Sequence, residues 1–212
     1  MKRLPVVPTI LVLLAVAAMI ALGVWQLQRK GWKEAKLALY ARNVTLPPVA
    51  FPQIPVGDDL LYRRTSAFCL QPTRWRTEGA GGRGWRLIAE CRTGAEGPGF
   101  AVELGLTRDV NFKPTWQGGK VTGVIAPAPS HQSLIAGLTR PAPMTLMIIA
   151  DTPLPGLVAS PRPSPQAIPN NHLAYAVQWF IFAALALGIY AIALRRRLRT
   201  DGALLVQGGR RR

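Results

Sequence analysis

The sequence predicts a membrane protein of the α+β class, in which two transmembrane helices flank a small antiparallel β-rich periplasmic domain. Three features of the 212-residue chain predict this: an apolar segment near each end, basic residues beside those segments, and alternating apolar residues between them. A hydrophobic fraction of 49% is too high for a disordered chain. With two cysteines, the chain cannot form a framework of several disulfides.

The first predicted span lies near the N-terminus, over residues 6–28. Its core, Val6–Trp25, holds twenty residues, enough to cross about 30 Å of hydrocarbon at about 1.5 Å per residue. The alternative is a cleaved signal peptide, with Lys2 and Arg3 as its basic region and a small-residue site at 15–17. Because the apolar run continues well beyond that site, an uncleaved anchor is favoured.

The second predicted span, residues 172–194, fixes the topology because a basic tail, residues 195–212, follows it at once. Basic clusters next to a span remain in the cytoplasm, so both this tail and the N-terminus, residues 1–5, are predicted inside and residues 29–171 outside. The cations after the first span argue for the opposite orientation, but long loops cross largely regardless of charge. No Arg- and Ser-rich presequence precedes the first span, which favours a bacterial inner membrane and a periplasmic loop.

The formal net charge of +16 at first suggests a nucleic-acid partner, but its distribution does not. Residues 1–3 carry +2, residues 29–171 carry +8 and residues 195–212 carry +6, so nearly half of the excess lies beside the apolar segments. Charge clustered beside an apolar span is typical of contact with a membrane surface. Membrane lipids are therefore a predicted partner, and nucleic acid is not.

Between the spans the pattern of apolar residues changes along the chain. Residues 29–45 have the spacing of an amphipathic juxtamembrane helix, although a collar of snorkelling cations is the alternative. Residues 46–152 are predicted to form the β-rich domain, because apolar and polar residues alternate and glycine-rich turns separate the runs. The strand candidates are 60–70, 85–92, 100–107, 120–126 and 144–150. Six prolines within 153–169 predict a stiff strap, residues 153–171, leading back to the membrane.

Catalytic residues are hard to find in this loop, and we predict that the protein is not an enzyme. His131 lies in a polar segment and is interpreted as a solvated loop residue. No Walker-type lysine follows the glycines of 79–84, so a phosphate loop is not predicted. Cys69 and Cys91 lie on predicted strands: two separate buried thiols are the favoured interpretation, and a disulfide or a metal or redox role is left open.

The predicted outer membrane edge carries a richer set of side chains. A helix that opens at His172 places Tyr175, Ala176 and Trp179 on roughly the same face as the imidazole. This face therefore presents a histidine, then aromatic rings, then small residues.

The first span offers Trp25, Gln26 and Arg29 at the matching depth. If the two helices pack, this edge combines an imidazole, aromatic walls and a cation, which suits haem. A neutral imidazole would bind the iron, with the porphyrin between the helices, and Arg29 would pair with a propionate. The alternative is that these residues are ordinary interfacial anchors.

Two segments at these edges resemble signatures of the surfeit-locus (SURF1-like) family of cytochrome c oxidase assembly proteins. Residues 22–33, LGVWQLQRKGWK, resemble the signature LGxWQxxRxxWK, and residues 170–180, NNHLAYAVQWF, resemble NxHxxYAxxWF. Tyr62-Arg63-Arg64 is similar to a shorter element of the family. The middle of the chain departs from the pattern, because residues 102–108 lack the tryptophan turn that commonly follows this strand in the family.

The resemblance implies an assembly factor for haem-copper oxidases that assists placement of haem a in the catalytic subunit, cytochrome c oxidase subunit I. It implies that His172 contacts the haem iron, and transient binding is expected because a carrier must release its cargo. Haem A synthase is a second expected partner. Further haem contacts are predicted from the motif matches and the helix-packing argument: Trp25, Gln26, Arg29, Tyr175 and Trp179.

Other functions are kept as alternatives. The main one is a haem-independent scaffold that stabilises the immature oxidase subunit. An envelope sensor is disfavoured because the cytoplasmic tail has only eighteen residues. A haem-modifying enzyme would need more histidines than one per membrane edge, and the first span has none.

Overall fold

A computed structural model of the chain describes residues 5–54, 56–95, 97–130, 132–133, 136 and 143–208. His131, interpreted above as a loop residue, lies outside the described residues. The chain divides into two compact units. The first contains residues 1–35 and 169–212, and the second contains residues 36–168.

Two long helices dominate the chain, and each is longer than its predicted span. Helix α1 runs without interruption over Val6–Thr45, and helix α2 runs over His172–Gly208. Both are long and apolar enough to cross a membrane, and only 11% and 6% of their most apolar windows are buried within the protein. The core helix of a soluble protein would be mostly buried, so these low values are typical of helices that face lipid.

Local sequence explains the lengths of the two helices. Beyond both spans the chain is rich in Ala, Leu, Arg and Lys, which are strong helix formers, so the helix propagates out of the apolar segment. Helix α1 ends at Thr45, two residues before Pro47 and Pro48. Proline disfavours helical backbone in the residue that precedes it, which accounts for this end.

A seven-stranded sheet forms most of the second unit. Its strands are β1 (Val49–Ala50), β2 (Arg64–Cys69), β3 (Gln71–Gly79), β4 (Trp85–Arg92), β5 (Gly99–Thr107), β6 (Gly119–Pro127) and β7 (Leu146–Ala150). The order across the sheet is β1-β2-β6-β7-β5-β4-β3. Short 3-10 helices occupy Gly81–Arg83 and Pro165–Ala167.

The predicted architecture of two helices flanking a β domain is confirmed, but the sheet is mixed rather than antiparallel. β1 pairs with β2 and β5 pairs with β7 in parallel, whereas the other four pairings are antiparallel. Alternation identifies strands that bury a face, and it carries no information about which strands become neighbours. Alternation also misses β3, in which Pro72 and three charged residues interrupt the apolar pattern.

A bend closes one corner of the sheet. β2 and β3 are two halves of one strand separated only by Leu70, and β2 pairs with β6 whereas β3 pairs with β4. At the bend, the Leu70 N–H donates to the Arg92 carbonyl at 2.8 Å. A disulfide joins Cys69 to Cys91 at the same corner, with their Cα atoms 5.2 Å apart. The favoured prediction of two separate thiols is therefore wrong, because only the bend brings these cysteines together.

The proline-rich strap packs on the sheet instead of merely leading away from it. β7 pairs with β5 only along residues 101–103, and the strap takes over its place beyond them. Leu106 and Val158 exchange two backbone hydrogen bonds of 2.7 and 2.8 Å, and the Leu154 N–H donates to the Leu104 carbonyl at 3.0 Å. Residues 102–106 are consequently all buried, so the prediction of a single buried face fails for β5.

The end of α1 is anchored to the loop that precedes β2. The Lys36 Nζ donates to Asp58 Oδ1 and the Tyr40 hydroxyl donates to Asp58 Oδ2, each at 2.6 Å. The bonds from Lys36 and then Tyr40 lower the pKa of the Asp58 carboxyl, whereas burial and the bond to Asp58 raise the pKa of Tyr40. One turn further on, the Asn43 amide donates to the Leu61 carbonyl at 3.0 Å.

Candidate functional site

Small side chains line the contact between α1 and α2 within the first unit. Val16 and Gly23 are buried on α1, and Ala176 and Ala183 are buried on α2, each pair seven residues apart. A seven-residue spacing keeps one face of each helix against its neighbour, as in a coiled coil. A Cβ built on Gly23 would lie 2.6 Å from Cε1 of Phe180, so the glycine permits this close approach.

One imidazole–amide pair joins the two helices at the start of α2. His172 Nδ1 lies 2.8 Å from Gln26 Oε1, and the pair is partly buried. An amide oxygen accepts hydrogen bonds and does not donate them, so the imidazole is the donor and carries its proton on Nδ1. The contact therefore holds the ring in one orientation and one tautomer.

The other ring nitrogen of His172 is the one available to a ligand. In the neutral ring with its proton on Nδ1, Nε2 has a lone pair, and no hydrogen bond among the described residues involves it. Histidines that bind metals almost always donate their other N–H to an oxygen, which fixes the ring and raises its basicity as a ligand. The pair thus has the chemistry of an imidazole that could bind a metal through Nε2, with Gln26 as its supporting acceptor.

Among the described residues, the side-chain hydrogen bond of His172 is the one to Gln26, and the other predicted site residues have different surroundings. Trp25 and Tyr175 are 50% and 51% exposed. Trp179 is partly buried on the helix contact and meets Phe182 edge-on, with ring centroids 6.2 Å apart. The Arg29 guanidinium lies over the ring of Trp32, 4.7 Å from its centroid, and this cation–π contact within α1 accounts for its position.

The direct contact between His172 and Gln26 also bears on where a haem could bind. A porphyrin cannot lie between these two side chains while they are hydrogen-bonded at 2.8 Å. The position of a haem between the helices, opposite Arg29, stays a prediction, and a metal at Nε2 would lie outside this hydrogen bond.

Sequence reasoning missed two polar groups of the helix pair. The Thr9 and Tyr190 hydroxyls hydrogen-bond to each other far from His172 along both helices. Thr9 is the only polar side chain of the apolar core, and this isolation was the available signal. Two residues before His172 in sequence, Asn170 Oδ1 is buried and accepts no hydrogen bond among the described residues. An unsatisfied carbonyl oxygen is suited to receiving a donor from a ligand.

These features define a class of proteins in which two apolar helices, joined by a polar pair, flank a mixed-sheet domain. Comparison with known families assigns the chain more closely. Residues 13–184 match the SURF1 family, and because this match covers most of the chain, the protein belongs to that family. The SURF1 family is associated with cytochrome c oxidase assembly and is not a catalytic family. No match was found among the curated proteins compared with the chain.

Proposed function

We propose that this protein assists cytochrome c oxidase assembly by holding haem a transiently and passing it to the catalytic subunit, cytochrome c oxidase subunit I. Haem a is the cargo, and His172 is its ligand. The observation that carries the proposal is the hydrogen bond between His172 Nδ1 and Gln26 Oε1, because it leaves Nε2 free to bind iron. Membership of the SURF1 family supports the link to the oxidase.

The chain's own groups suit a carrier better than a permanent haem protein. His172 supplies one axial ligand, and Gln26 holds it in the tautomer that binds metal. Trp25 precedes Gln26 in the sequence, and Tyr175 follows His172 by three residues. Both are about half exposed, so they offer aromatic surface to a macrocycle on the outer side of the helices. Attachment through one imidazole leaves the cargo open to capture by stronger ligands in the oxidase subunit.

We further infer a two-pass topology in a bacterial inner membrane, with both termini in the cytoplasm and the β domain in the periplasm. The arginines that follow the second span support a cytoplasmic C-terminus. The disulfide between Cys69 and Cys91 gives independent support, because such bonds form and persist in oxidising compartments. Haem A synthase is the proposed source of the cargo.

Absorption spectroscopy tests the ligand. The full-length protein is purified in mild detergent from cells that make haem a, beside His172→Ala and, as a matched control, His131→Ala. We expect a Soret band in the wild-type protein and the control and its loss in His172→Ala. Absence of haem from all three, with oxidase subunit I still co-purifying, would favour the haem-independent scaffold.

A second pair of variants tests the supporting hydrogen bond. Gln26→Ala removes the acceptor of Nδ1–H, whereas Gln28→Ala removes an exposed amide two residues away. We expect Gln26→Ala to weaken haem binding about tenfold, the lower end of the range for loss of such a partner. Gln28→Ala should bind haem like the wild type. Equal haem affinity in both variants would contradict the proposed role of Gln26.

A further inference from the structure

A cleft in the second unit, which does not include His172, runs between the strap and the ends of β4 and β5. It consists of two depressions of about 270 and 390 Å³. Arg83, Leu106 and Pro161 line both, so the two depressions are adjacent and share one wall. We call this feature the arginine cleft, because four arginines line it: Arg83, Arg86, Arg108 and Arg162.

Internal acids compensate only part of this positive charge. Glu103, 4% exposed on the cleft floor, accepts hydrogen bonds from Arg86 Nη1 at 3.5 Å and Ser160 Oγ at 2.5 Å. Arg162 pairs with Asp151 at 3.3 Å. Two cations of the cleft are thus engaged with carboxylates of the domain itself.

The other two arginines are not engaged in this way. Arg83 and Arg108 are exposed, and neither makes an ion pair in the part of the chain that the structure describes. In addition, Arg86 Nε is buried and donates no hydrogen bond among the described residues. A buried donor without an acceptor is costly, and a bound anion would satisfy it. Two uncompensated cations and one unused donor therefore converge on a single cleft.

The wall of the cleft is apolar, which narrows the class of ligand. Val158 is 70% exposed on the strap, and Leu106, Ala159 and Pro161 continue the same surface. A free phosphate ion would use the guanidinium groups and leave this surface in water. An anion attached to an apolar group would cover both, as the headgroup and first acyl carbons of a phospholipid do.

We propose that the arginine cleft binds the phosphate of a membrane phospholipid, with the apolar part of the lipid against Leu106 and Val158. Arginine suits this task because its planar fork donates two parallel hydrogen bonds to a phosphate. The strap that forms one wall continues in sequence into α2, which is long and apolar enough to cross a membrane, so lipid is the phosphate source that accompanies this chain. The proposal is independent of haem binding.

Nuclear magnetic resonance of the arginine side chains tests the site directly. The full-length protein, labelled with ¹⁵N-arginine in phosphate-free detergent, is titrated separately with dihexanoyl-phosphatidylglycerol, inorganic phosphate and a glutamate-rich peptide. We expect the Nε–H signals of Arg83 and Arg86 to shift saturably with the lipid. The lipid should bind about tenfold more tightly than inorganic phosphate, because burial of a few CH₂ groups contributes about that much.

Matched variants distinguish lipid binding in the arginine cleft from non-specific attraction of an anionic lipid to a basic protein. Arg83→Gln with Arg108→Gln removes the two uncompensated cations, and we expect lipid affinity to fall about tenfold or more. Arg74→Gln with Lys113→Gln removes the same charge from exposed positions outside the cleft, and affinity should stay within about twofold. All four positions are exposed, so both double variants should unfold at nearly the same temperature as the wild type.

Three results would overturn the proposal. Equal weakening in both double variants would mean that binding follows net charge and not the cleft. Inorganic phosphate that binds as tightly as the lipid would remove the role of the apolar wall. Stronger binding of the glutamate-rich peptide would assign the cleft to an acidic protein segment instead of a lipid.

Discussion

Different kinds of contact stabilise the helix pair and the β domain, each considered by itself. The helices meet through small residues and two polar pairs, Thr9–Tyr190 and Gln26–His172. The domain is joined by a disulfide, a bent strand and ion pairs that connect residues far apart in sequence. Hydrogen bonds exchange readily whereas the covalent bond does not. His172, the candidate ligand, therefore lies in the unit held by exchangeable hydrogen bonds, whereas the domain is covalently crosslinked.

Of the variants proposed, removal of the disulfide is expected to lower the free energy of unfolding most, and only in the domain. Cys69→Ala with Cys91→Ala frees a crosslink between residues 22 apart, which should lower the free energy of unfolding of the domain by about 3 kcal/mol. Denaturant unfolding of the full-length protein, followed by near-UV circular dichroism, measures the change. The Nδ1–H signal of His172 is the internal control and should not move. A loss below about 1 kcal/mol would show that the bend is held without the crosslink.

Gly123 tests how rigidly the sheet is packed. A Cβ at this position would lie 2.1 Å from the Ile149 carbonyl oxygen of the neighbouring strand, and backbone cannot move aside as a side chain does. We expect Gly123→Ala to lower the free energy of unfolding by about 2 kcal/mol. Gly79→Ala, at the end of β3, meets no atom within 4 Å and should change it by less than about 0.5 kcal/mol. Similar values for both variants would contradict the assigned close contact.

Asp58 tests the anchoring of α1 to the domain through its dependence on pH. Asp58→Asn loses the ion pair with Lys36 and should lower the thermal midpoint of unfolding near neutral pH by a small, measurable amount. Because folding lowers the pKa of this carboxyl, its contribution is present above the ordinary value of 3.8 and is lost as the pH falls through the lower folded value. Thermal unfolding of both proteins should therefore converge in acid.

The neighbouring carboxyl provides the control for this measurement. Asp59 is exposed, and its side chain makes no ion pair in the described part of the chain. Asp59→Asn should therefore leave both the midpoint and its pH dependence close to those of the wild type. A difference between Asp58→Asn and wild type that does not shrink as the pH falls from neutral into the acid range would exclude the carboxylate as its source.

The difference between the helix pair and the β domain also explains which features could be predicted from the sequence. The helix pair depends on local periodicity, so both long apolar helices follow from the sequence, whereas the role of His172 stays a prediction. The stacking of Arg29 on Trp32 was not predicted, although the two lie three residues apart on one helix, where such side chains meet. The pairing of Arg29 with a haem propionate stays a prediction.

The domain depends on contacts that no local pattern contains. The Cys69–Cys91 disulfide requires a bend at Leu70, and the parallel pairing of β5 with β7 requires knowledge of the strand order. The strap was predicted to be stiff from its prolines, but its hydrogen bonds to Leu106 depend on where β7 ends. Strands were therefore predictable as elements, whereas their neighbours were not.

Gly23→Ala is expected to change the free energy of unfolding least, and it provides a direct comparison with Gly123→Ala. A Cβ here would lie 2.6 Å from the Phe180 ring, but that ring is 36% exposed and can rotate away at a cost of about 1 kcal/mol. Alanine also favours a helix over glycine by about 1 kcal/mol, so the two effects nearly cancel in Gly23→Ala.

Gly188→Ala measures the stabilisation from helix propensity alone, because a Cβ at Gly188 in α2 would meet no atom within 4 Å. The difference between the thermal midpoints of Gly188→Ala and Gly23→Ala therefore measures the cost of moving Phe180. If Gly23→Ala loses about 2 kcal/mol, as expected for Gly123→Ala, the helix contact is as rigid as the sheet. An imidazole held in so rigid a contact would not suit a protein that must release its cargo.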